Sequence, residues 1–107
     1  MINVVYHRKY NRVTVKGHAY SGDAGHDLVC SAASILTYTL AANISNLAKK
    51  EQAWGQVLDL NPGNADLSCI PKSRYRNTVR LIMDSICAGY ELLSRDYPSY
   101  ISYEIRG

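Results

Sequence analysis

A chain of 107 residues can bury one two-layer core but not two, so a single domain spanning 1–107 is expected, with its active surface on that domain. Apolar residues at 47% and charged residues at 20% exclude a disordered or low-complexity chain, and a net charge of +3 in short scattered groups leaves direct nucleic-acid binding unexpected. Three cysteines without a CxxC pair fit neither a zinc site nor a disulfide framework and suit a reducing cytoplasm; no apolar run is read as a membrane span, and the first residues read as a strand and not as a signal peptide.

Residues 2–8, rich in Val and Ile, predict a first strand, with Lys9–Asn11 as its hairpin turn. Residues 12–18 alternate as Arg-Val-Thr-Val-Lys-Gly-His, the period of a half-buried strand, which places His18 at the strand end and off the apolar face. Gly22 and Gly25 then punctuate a connection from Ala19 to His26, expected to be mobile. Asp27 is the candidate N-cap of a helix running to about Lys49, with Val29, Ala33, Leu36, Leu40, Ile44 and Leu47 as its apolar stripe. On that reading Cys30 falls in the first turn, and Ser34 lies one turn further along the same face.

Trp54–Leu60 and Ala65–Ile70 read as a second hairpin around Asn61-Pro62-Gly63-Asn64. Pro71 ends it, Ser73 is placed to cap a second helix, and Tyr75, Val79, Ile82, Ile86, Tyr90 and Leu93 form that helix's stripe to about Ser94. Gly89 either weakens this helix or permits close packing. Tyr97-Pro98 breaks the pattern before a final strand over Tyr100–Ile105. The order ββαββαβ predicts an α+β fold, two long helices on one face of a small mixed or antiparallel sheet. The aromatic mass, nine Tyr with no Phe, is expected on half-buried faces with hydroxyls reaching water.

A cysteine at a helix start can be a nucleophile, because the helix dipole and an adjacent imidazole both favour thiolate over thiol. His18 is the first candidate partner and His26, in the connection, the second. Cys69 alternates with Leu67 on a strand and Cys87 lies beside the stripe of the second helix, so both are assigned to the core. Asp27 can cap the helix or orient the imidazole. The sequence carries no P-loop or dinucleotide fingerprint, and neither a cofactor nor a metal is expected.

Gly17-His18-Ala19, followed by Gly25-His26-Asp27-Leu28-Val29-Cys30-Ser31-Ala32-Ala33-Ser34, resembles the GHA…G-x-D-[IL]-V-C-A-A-x-S signature of the ribosomal-processing cysteine proteases, the Prp family. Ser31 stands where Ala is usual, and Tyr20 and Asp23 give the connection its own pattern. The resemblance implies Cys30 as nucleophile, His18 as general base and supporting roles for Asp27 and Ser34. It implies that the loop carrying Tyr20, Gly22, Gly25 and His26 covers a peptide substrate with a hydrophobic or aromatic residue before the cut. It also implies a homodimer. Members of that family remove a short N-terminal extension from a large-subunit ribosomal protein, and phage-encoded relatives process phage proteins. The reading is therefore a cytoplasmic cysteine endopeptidase, with free N–H groups at the helix start stabilising the oxyanion. Its rival is a non-catalytic ribosome- or protein-binding module of the same fold.

Overall fold

The computed structural model describes residues 1–18 and 24–107, the side chains of 24–26 excepted. Its strands are β1 (Ile2–His7), β2 (Arg12–Lys16), β3 (Ala53–Asn61), β4 (Asn64–Pro71) and β5 (Ile101–Arg106), and its helices α1 (Ala24–Lys49) and α2 (Arg76–Asp96). The strands form one sheet in the order β3-β4-β2-β1-β5, antiparallel throughout except for β1 and β5, which run parallel. The expected α+β class and ββαββαβ order are what the chain adopts.

Alternation decides which face carries the helices. Ile2, Val4 and Tyr6 of β1, Val13 of β2, Leu67 and Cys69 of β4 and Ile101 of β5 are buried against Val29, Leu40, Ile44 and Leu47 of α1 and Val79, Met83, Cys87 and Tyr90 of α2. The α1 stripe is the predicted one, extended by buried Thr37 and Ala41, with Leu36 only half-buried. The α2 stripe is rotated: Met83 and Cys87 are buried, while Ile82 and Ile86 are half-buried at its edge. At Gly89 the two helices come close, since a Cβ there would stand 2.6 Å from Cδ2 of Leu36.

The segment Asp27–Lys49 corrects the expectation about membrane spans, being long and apolar enough to cross a bilayer by those measures. In this fold its apolar stripe lies against the sheet and α2. Two tyrosines also depart from expectation: Tyr6 and Tyr90 are wholly buried, and their hydroxyls bond to protein. Tyr6 donates to Asp84 at 2.8 Å, and Tyr90 shares a 2.7 Å bond with Thr37. Such partners make burial of a phenol tolerable.

Between β1 and β2 the chain forms a short 3-10 turn, Arg8–Tyr10, closed by Asn11 in the left-handed region at φ 49°. Ser73 opens a second 3-10 turn, Ser73–Tyr75, and α2 follows with no side-chain cap. The predicted Ser73 cap is therefore absent, its place taken by the 3-10 turn that feeds directly into α2.

On the sheet face away from the helices, Arg12 grips Asp66 through two bonds of 2.9 and 2.7 Å. That pairing holds the Asp66 carboxyl below the usual carboxylate range. Because the native pKa is lowered, the pair's stabilisation is complete above the unfolded carboxylate pKa and is lost as pH falls through the native one. Both side chains are partly exposed, so Asp66→Asn should cost no more than about 1 kcal/mol at neutral pH. Thermal melts of the two proteins should converge as the buffer is taken below the carboxylate range; a constant gap would show that the loss comes from packing.

Candidate active site

Past Lys16 the chain leaves the sheet through Gly17 at φ +96°, where a Cβ would overlap the Met1 carbonyl. Only glycine suits both the dihedral and the space. The Gly17 N–H donates to the Gly63 carbonyl at 2.9 Å, and the Met1 amino group donates to the His18 carbonyl at 2.7 Å. His18 is thus held by its backbone between the first residue of the chain and the tip of the β3–β4 hairpin, with its imidazole exposed.

Cys30 comes from α1. The helix begins at Ala24 and not after Asp27, which corrects three readings. Asp27 is an exposed residue of the first turn and not the N-cap. Gly25 and His26 belong to the helix and not to a loop. Cys30 lies in the second turn, so the helix-start N–H groups and the dipole effect confined to that turn are a full turn away from it. The physical reason is that Ala24 is a strong helix former, and the entropic cost of Gly25 is not enough to keep the helix from starting before Asp27. Tyr20 and Gly22, and with them the expected lid, lie outside the described residues, as does the side chain of His26.

His18 and Cys30 line one open cleft of about 340 Å³. One wall is α1, where Cys30, Ser34 and Tyr38 follow one another at helical spacing; the other is the hairpin tip from Leu60 to Ala65. Cys30 is half-buried, and Ser34 and Tyr38 are exposed. Thr37 lines the same cleft from a buried position, fixed by its bonds to the Ala33 carbonyl and to Tyr90. Asp27 is not among the lining residues.

Tyr38 was signalled in the sequence by continuing the Cys30, Ser34 spacing. The hairpin tip carried no signal, because its approach to His18 is a tertiary contact.

The remaining candidates separate cleanly. His7 pairs with Arg12 on the sheet face away from the helices. Cys69 and Cys87 are buried; burial raises the Cys69 thiol and pushes Cys87 up to about 12. Among the described residues no three His, Cys, Asp or Glu side chains are grouped to hold a metal ion.

A thiol and an imidazole on one open cleft, flanked by hydroxyls and an apolar wall, can supply a nucleophile and a proton acceptor to a chain laid between helix and hairpin. Those are the parts of a cysteine hydrolase, and comparison with known families agrees, since the family model described as cysteine protease Prp matches residues 1–102. The chain belongs to the Prp family and is a hydrolase of the cysteine-protease class. Among solved structures, SMU.848 from Streptococcus mutans is similar at 22% identity and a TM-score of 0.70, over 97% of this chain and 90% of that one. The ribosomal processing protease Prp of S. aureus, in complex with a covalently linked product peptide, is similar at 19% identity and a TM-score of 0.68, over 98% and 97%. The same protease with a substrate peptide gives 18% and 0.66 over the same shares. A comparison with curated proteins finds no match.

Proposed function

We propose that the protein is a processing endopeptidase that removes a short N-terminal extension from a large-subunit ribosomal protein, or from a phage structural precursor, with Cys30 as nucleophile and His18 as base. The observation that carries this reading is that the two side chains line one cleft. The S. aureus neighbours, a ribosomal processing protease with substrate and product peptides, support the substrate class. A homodimer working in the cytoplasm completes the proposal.

In the first step Cys30 Sγ bonds to the scissile carbonyl carbon while its proton passes to His18. The tetrahedral intermediate collapses, the C–N bond breaks, and His18 returns that proton to the leaving amine. Water then attacks the thioester carbon, giving one proton to His18; the C–S bond breaks, His18 returns that proton to Sγ, and the product acid leaves, losing its own proton to solvent. Since the α1 start is a turn away from Cys30, activation of the thiol falls to His18. Ser34, one turn beyond Cys30 on the same wall, is placed to hydrogen-bond the bound peptide, and Asp27 supports the pair from the first turn.

Thiol alkylation tests the reading. A small alkylating reagent should modify Cys30 at least about tenfold faster than Cys69 or Cys87, because of the three only Cys30 is partly open to solvent and shares its cleft with His18. Equal slow modification of all three would favour the non-catalytic binding module. Incubation with ribosomal and phage precursors, with fragment masses read out, identifies the substrate.

A further inference from the structure

Gly63 is the second residue of the Pro62-Gly63 turn joining β3 to β4, and its φ is +71°. A proline followed by a residue of positive φ is the type II combination, which by itself explains a glycine. It does not explain what occupies the space beside that glycine. A Cβ at 63 would stand 2.7 Å from Cε1 and 2.9 Å from Cδ2 of His18, and would overlap Nε2. The imidazole fills the volume that any other residue's side chain would take.

We infer that the Pro62–Gly63 tip is the seat of the general base, with Gly63 the positioning residue that sets the ring of His18. The tip also holds the backbone beneath that ring, through the bond from the Gly17 N–H to the Gly63 carbonyl. It is part of the cleft wall facing Cys30 on α1. Adding a side chain at 63 pushes the imidazole toward the cleft or out of it, and either shift changes its distance to the thiol. The inference rests on His18 being the base, and its test separates the two.

Stability is measured first, on Gly63→Ala, His18→Ala and the double variant. The ring is the far end of an exposed side chain and can turn aside, so any gain of the double variant over additivity is small. The contact itself is read from the His18 ring signals in NMR spectra, which should shift in Gly63→Ala; unchanged signals overturn it. Peptide turnover is measured next on Gly63→Ala and Gly63→Asn. Asn tolerates a left-handed backbone but carries the same Cβ, so a seat requires that both variants lose about 100-fold in kcat with KM little changed. Normal turnover in Gly63→Asn would show that the turn needs only its dihedral, and would overturn the positioning role. Full turnover in His18→Ala would remove the base assignment and the inference with it, whatever the ring signals showed. Should Gly63→Ala fail to fold because a left-handed backbone strains alanine, Gly63→Asn carries both measurements.

Discussion

Cys30→Ala is expected to abolish peptide cleavage, a loss of at least about 10⁴-fold in kcat, while the protein keeps its fold and still binds peptide. The size follows from chemistry: without Sγ no thioester forms, and the other described groups lining the cleft beside His18 are hydroxyls, amides and apolar side chains. Cys30→Ser should be nearly as inactive, since a hydroxyl ionises far less readily than a thiol beside an imidazole. The structural cost should be small, on the order of 1 kcal/mol, because Cys30 is half-buried at the edge of the core cluster while Val29 and Ala33 beside it are the buried residues. Turnover and melting temperature together decide the matter. Near-normal turnover removes Cys30 from the nucleophile's role, and a collapse in melting temperature with lost activity makes it a packing residue instead.

His18→Ala should follow at about 10³-fold or more, and should move the pH profile of Cys30 alkylation toward higher pH. The imidazole is exposed, so its removal takes little from the core. His7→Ala is the matching control, a histidine of β1 on the opposite face of the sheet. His26→Ala should cost less than His18→Ala. If the ranking of 18 and 26 came out reversed on the same peptide, the base would be reassigned to the start of α1.

Much of this was legible in local pattern. Alternation over Arg12–Lys16 set the sheet face, and the stripe from Val29 to Leu47 set the face of α1, because burial against a sheet and a second helix acts on those two periods. Ends were read less well. Asp27 has the chemistry of an N-cap, yet propensity at Ala24 lets the helix start earlier despite the cost of Gly25, and nothing in the order of residues reveals that competition. Ser73 was misplaced for a similar reason, a 3-10 turn feeding α2 without a side-chain cap. The second wall of the cleft was invisible, because Gly63 reads as an ordinary turn glycine until a long-range contact puts His18 over it. Thr37 was hidden likewise, since its partner Tyr90 is on the other helix.

The pairing of β1 with β5 governs how the protein comes into being. Ile2 lies beside Ile101, so closing the sheet joins positions about a hundred residues apart, and such non-local closure makes a slow, high-contact-order folding step. Every described residue lining the cleft comes from Ile2 to Ala65, upstream of α2 and β5. On the ribosome both cleft walls therefore emerge before the strand that completes the sheet. Until β5 arrives, the outer edge of β1 stays open to pairing with another chain. Synthesis of this protease passes through a window in which both walls of its cleft are present and an edge of its sheet is still uncovered.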